Sequence, residues 1–138
     1  MSSNETISTP LTKLLGIKYP IMLAGMASIS NGELAAAVSN AGGIGSFGGV
    51  QMSPKALRKE IKECKHLLKP GMKFGVDMLL PKVGEGARKT NKDYTGGQLE
   101  EIINILIEEE VPFFISAGTH DSSPFPSIAS ARHLCPLF

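Results

Sequence analysis

The sequence predicts an α/β protein built from parallel βαβ units. Three observations point there. Apolar runs alternate with amphipathic stretches, each helical stretch ends at Gly or Pro, and successive runs lie about 25 to 40 residues apart, the span of a strand plus its crossover helix. Strands that read as continuous apolar runs are those covered by helices on a parallel sheet.

The elements follow in order. Pro20 disfavours helix at Tyr19 and opens the apolar run Ile21–Ala24, a first strand ending at Gly25. Ser30 and Glu33 have capping-box spacing, and Leu34, Ala37, Val38 and Ala41 define a helical face that stops at Gly42-Gly43. A second strand, Ile44–Phe47, runs into Gly48-Gly49. Ser53-Pro54 is an N-cap with proline at the first helical position. Leu57, Ile61, Cys64 and Leu68 mark that helix's face, and Pro70-Gly71 ends it. The third strand is Phe74–Leu79. A long polar loop, Pro81–Gly97, precedes a third helix marked by Leu99, Ile102, Ile103 and Leu106; loops of that length often carry function. This helix closes on Glu108-Glu109-Glu110, the wrong charge for a helix C-terminus. Pro112 breaks it, and Phe113–Ala117 is the fourth strand.

The order β-α-β-α-β-α-β fits either a small doubly wound sheet or part of a (β/α)8 barrel. A barrel typically needs ~250 residues. A chain of 138 residues would supply only its first half. The division expected is 1–117 for the βα units and 118–138 for a divergent, irregular tail, interrupted by Pro124, Pro126 and Pro136.

Composition removes several function classes. The chain is 42% hydrophobic and 20% charged, as in ordinary folded domains, so disorder and fibrous structure are excluded. Net charge is +1, which leaves no electrostatic footprint for nucleic acid or an acidic membrane surface. Two cysteines, Cys64 and Cys135, make no disulfide framework and suit a reducing compartment. No apolar run reaches the ~18–20 residues of a membrane span, and the polar start has no targeting pattern. The expectation is a cytoplasmic protein.

Gly43-Ile-Gly45-Ser-Phe-Gly48 matches G-x-G-x-x-G. A dinucleotide site needs that pattern between a strand and a helix. Here it straddles a helix end and the following strand, so it reads as a helix stop and a turn. A second constellation lies at strand ends: Gly25 and Met26, Gly48 and Gly49, and Asp77. Ligands of parallel α/β proteins bind at the carboxyl ends of strands. Gly25 would let a planar ligand approach the backbone, and Met26 could pack on a ring face. Asp77 is an acid in an apolar strand and needs a partner, either a ligand or a nearby turn.

Pro20-Ile-Met-Leu-Ala-Gly-Met26, Glu33 through Gly45, Phe74-Gly-Val-Asp77, Val76 through Pro81 and Ala87-Arg-Lys-Thr-Asn91 together resemble nitronate monooxygenases, formerly called 2-nitropropane dioxygenases. The stretch Ala37-Val-Ser-Asn-Ala-Gly-Gly43 is shared with FMN-dependent enoyl-acyl-carrier-protein reductases, the alternative. The resemblance implies a TIM-barrel flavoprotein holding FMN and oxidising alkyl nitronates with O2. It assigns Gly25, Met26 and Asp77 to the flavin ring; relatives often carry Asn at the position of Asp77. The family's catalytic histidine lies in a Gly-Gly-His motif that this sequence does not contain, so no catalytic residue is assigned. His66 reads as a helix-surface residue, and His120 and His133 match nothing. The expectation is a truncated, inactive form with doubtful FMN retention, a non-catalytic fragment or small binding module being the other readings. Its half-barrel sheet would leave two open edges, at Ile21–Ala24 and Phe113–Ala117, and would show Met22, Phe47, Val76 or their neighbours to water. Poor solubility or edge-to-edge self-association would follow.

Overall fold

A computed structural model describes residues 7–80, 93–117 and 135–137. Four parallel strands form one sheet: β1 (Gly45–Gly48), β2 (Phe74–Leu79), β3 (Phe113–Ala117) and β4 (Cys135–Leu137). The helices are α1 (Pro10–Leu15), α2 (Gly32–Asn40), α3 (Pro54–Leu67) and α4 (Leu99–Glu108).

Strand order decides between the two architectures. Each strand lies beside its sequence predecessor, in the order β1-β2-β3-β4. A doubly wound sheet reverses order at a switch point, whereas a (β/α)8 barrel adds strands in sequence. The predicted first strand sits before β1 in the same sense. It pairs through one parallel bridge, Met22 with Ile44, closed by Leu23 N–H to Ile44 O and Ile44 N–H to Ile21 O, both 2.9 Å.

Alternate strand residues face the helix layer. Phe47, Phe74, Val76, Met78 and Phe114 pack there with Ala35, Leu57, Ile61, Ile102 and Leu106. The expected exposure of Phe47 and Val76 is therefore wrong. Both are fully buried, because they point at the helices and not into the barrel interior; Met22, at 39% exposure, does reach solvent. The opposite parity carries Ser46, Gly48, Gly75, Asp77 and Ile115.

Four local readings are corrected. Cys135–Leu137 pairs with Phe113–Ile115, so that part of β3 is not a free edge and the tail is not irregular throughout; the rest of 118–138, with His120 and His133, lies outside the described residues, as does 81–92. Helix α1 was not expected. It is built from a Thr9 cap (Thr12 N–H to Thr9 Oγ1, 3.1 Å; Thr9 N–H to Thr12 Oγ1, 2.9 Å), Pro10 in the first turn and Gly16 at φ +68°. The cap of α2 is Asn31, whose Oδ1 accepts the Leu34 N–H at 2.9 Å, and not Ser30. Its buried face is Gly32, Ala35, Ala36 and Ser39, while Leu34 is exposed. Small residues win this face because α2 lies against β1 almost backbone to backbone: a Cβ on Gly45 would fall 1.8 Å from Ala35 O.

The acidic run after α4 also finds its reason. Glu108 accepts from Arg58 Nη2 at 2.5 Å and Glu109 from Arg58 Nη1 at 2.8 Å, with Lys65 and Lys62 at 3.5 and 3.8 Å from Glu109. Charges from α3 thus replace the partners that a helix C-terminus would deny.

Candidate functional site

The carboxyl ends of the strands gather three predicted residues. Gly25 ends the first apolar run. A Cβ placed there would lie 2.2 Å from Asp77 Cβ and 2.6 Å from Asp77 Oδ2, so the bare Cα of Gly25 is the seat of the Asp77 side chain. The close approach that Gly25 allows on this side is made by Asp77 itself. Met26 follows on an exposed turn. A Cβ on Gly48 would lie 3.1 Å from the carbonyl carbon of Met26 and from the N of Ala27. Gly25, Met26 and Asp77 therefore converge on one end of the sheet, with β1 between them.

Main-chain geometry fixes that turn. Ser30, freed from capping, holds Met26 at both ends: Met26 N–H donates to Ser30 Oγ at 2.6 Å, and Ser30 Oγ donates to Met26 O at 3.1 Å. Ser28 takes φ +64° inside it, a left-handed conformation uncommon for a residue other than glycine and often found at functional sites. The turn leaves Met26 37% and Ile29 67% exposed.

Asp77 is the chemical centre. Its backbone is tied into the sheet, with Gly49 N–H donating to Asp77 O at 2.8 Å. Its side chain is not tied: Oδ1 is buried and has no hydrogen-bond partner among the described residues. Burial pushes its carboxyl pKa up. A buried unpaired acceptor costs free energy that a donor from a bound group would recover. An acceptor that lacks a donor, seated on a bare glycine, fits one edge of a planar, N–H-bearing ring.

Other groups stand apart. His66 is exposed in the last turn of α3, at the opposite pole of the sheet. Cys64 is buried and its thiol is pushed up to about 12 by burial, then by Glu60, so it is no nucleophile. A cavity of about 330 Å3 lies between Gly16, Lys18, Asn40, Gly42 and Met72. It sits at the amino ends of the strands and shares no residue with the Asp77 cluster. No helix among the described residues is long and apolar enough to cross a membrane.

The nitronate monooxygenase family model matches residues 8–127, running past Ala117. The chain belongs to the nitronate monooxygenase family. A protein of Staphylococcus haemolyticus named "Probable nitronate monooxygenase" is 37% identical over 92 residues, 67% of this chain and 23% of that relative. A Staphylococcus saprophyticus protein of the same name is 41% identical over 75 residues, 54% of this chain and 21% of its own length. The chain thus spans under a quarter of the length of these relatives. Among solved structures, FabK from Thermotoga maritima superposes with TM-score 0.72 at 31% identity, over 96% of this chain and 38% of that one. Nitroalkane oxidase from Streptomyces ansochromogenes gives TM-score 0.69 at 24% identity, over 93% of this chain and 41% of that one, a likeness of fold. Both neighbours are TIM barrels, in agreement with the sequential strand order.

Proposed function

We propose that this chain carries the ring-binding part of an FMN site belonging to a nitronate-oxidising flavoprotein. The observation that carries the reading is the buried, unpartnered Asp77 Oδ1 at the carboxyl end of β2. Asp77 would accept a hydrogen bond from the isoalloxazine ring, Met26 would cover a ring face, and Gly25 would keep the Asp77 carboxylate in place. An ionised Asp77 can only accept, so it suits a ring N–H and opposes a ring carbonyl. Bound flavin would supply the electron transfer between an alkyl nitronate and O2. Ser30 would hold the Met26 turn and so fix the ring's distance from the strand ends.

Among the described residues no histidine stands at the Asp77 cluster, His66 lying in the last turn of α3. Proton abstraction needs a group within hydrogen-bond reach of the substrate, and no Gly-Gly-His motif exists in the sequence. Oxidation of nitronates by this chain alone is therefore not expected. The likeness to FabK favours a second reading, the reductase chemistry of relatives sharing the Ala37–Gly43 stretch; it would use the same ring contacts.

Titration of FMN with the purified chain, followed by flavin fluorescence, tests the reading. Saturable quenching that Asp77→Ala weakens at least tenfold is the expected result. No saturable quenching, or equal affinity in the variant, would overturn it.

A further inference from the structure

Backbone alternation across the sheet places Pro136 at a particular spot. Asp77 O accepts from Gly49 N–H, so the main-chain groups of Asp77 face β1. In a strand the groups of successive residues point to opposite sides, so those of Val76 and Met78 face β3. Val76 is registered with Phe114. In a parallel ladder the groups of a facing residue bond the two neighbours of its partner, here Phe113 and Ile115. The groups of Phe114 then point away from β2, toward β4. Phe114 is registered with Pro136, so its partners are Cys135 and Leu137, and Pro136 faces outward.

That is the one parity a proline tolerates. It has no N–H, and a register shifted by one residue would aim the missing donor at β3. The register meets the requirement that the residue type sets.

We infer that Cys135–Leu137 is a stop strand. It covers the outer edge of β3 and presents Pro136 to the place where a further strand would pair. Edges are blunted by proline, by shortness or by cover. Here a strand of three residues brings the first two to the rim of an otherwise apolar parallel sheet. Strand addition, whether by this chain or by a second copy, is disfavoured on that side.

Two substitutions separate the halves of the inference. Leu137→Pro removes the N–H that faces Phe114 O and should release β4. Pro136→Val keeps β4 docked and restores an outward N–H. Hydrogen exchange is read at Phe114, which faces β4, relative to Val76, which bonds β3 only; the ratio cancels any global loss of stability. Leu137→Pro should raise the Phe114-to-Val76 exchange ratio at least tenfold, and an unchanged ratio would overturn the docking of β4. Sedimentation velocity at equal concentration should give Pro136→Val a higher average mass than the parent. An equal mass would overturn the stop.

Discussion

The two ends of the same parallel sheet are built on opposite plans. At the amino ends, helix α1 lies across the strands and joins Leu15, Ile44 and Phe113 in a small apolar cluster, flanked by Leu11 and Ile17. Its cap is reciprocal and its stop is a left-handed glycine. Nearby, at the entry to β3, Glu109 meets Arg58, Lys62 and Lys65. At the carboxyl ends a left-handed Ser28, an exposed Met26 and an unpartnered Asp77 Oδ1 meet around Gly25. One end satisfies its groups internally, and the other leaves a polar group for something else to satisfy. Barrels divide stability and chemistry between their two faces in this way. Here the division is visible in part of a barrel.

Breaking the amino end should produce the largest effect. Phe113 is 4% exposed and Leu15 and Ile44 are fully buried. Truncating a buried aromatic to alanine costs about 3–5 kcal/mol, a large share of a typical total of ~5–15 kcal/mol. Phe113→Ala should lower the unfolding free energy from urea titration accordingly, while Met26→Ala, on the exposed turn, should change it by less than about 0.5 kcal/mol. Equal shifts would erase the distinction between the two ends.

The contact between Gly25 and Asp77 should give a smaller but more specific effect. Gly25→Ala forces a methyl into the space of Asp77 Cβ and Oδ2, an overpacking costing about 1–3 kcal/mol. In the double variant Gly25→Ala/Asp77→Gly the obstacle is gone, and most of that cost should vanish. A double-mutant cycle reads the coupling directly. Additive single effects would mean that Gly25 serves its own backbone and not the carboxylate.

Legibility in the sequence follows the same division. Strands β1, β2 and β3 and helices α3 and α4 are readable because their apolar residues recur at the right period and stand between Pro and Gly signals. The Ser53-Pro54 start, the Leu57–Ile61–Cys64 face and the Phe74–Leu79 strand come out as read. The face of α2 did not, because Gly32, Ala35 and Ser39 pack by smallness, a property that hydrophobic periodicity does not register. Helix α1 escaped because six residues are too few for a period, although Thr9-Pro10 and Gly16 spell its start and stop. Parity within the strands was misread at Phe47 and Val76, since a period-2 run does not say which face the helices will cover. The grouping of Gly25, Met26 and Asp77 was legible from strand ends alone. The tight seating of Asp77 on Gly25 was not, because it depends on the offset between two segments that lie on either side of β1 and do not pair with each other.

The smallest effect sets two carboxylates against each other. Burial raises the pKa of Asp77. For Glu109, burial pushes upward, but Arg58, Lys65 and Lys62 outweigh it and hold the carboxyl below its usual range. Linkage gives these shifts opposite signs. With its folded pKa raised, Asp77 contributes stability fully below its unfolded value of about 3.9 and loses it as pH rises through the folded value. With its folded pKa lowered, Glu109 contributes stability above its unfolded value of about 4.3 and loses it as pH falls through the folded value. Asp77→Asn should therefore stabilise the chain at neutral pH, by about 1 kcal/mol, and the gain should shrink toward zero below pH 4. Glu109→Gln should destabilise it at neutral pH, and that loss should also shrink in acid. Chemical denaturation of both variants across the acid range should thus give two difference curves of opposite sign that converge at low pH. Curves of the same sign would show that Asp77 has a partner in the folded chain, and the contrast between the two ends of the sheet would fail at its most informative residue.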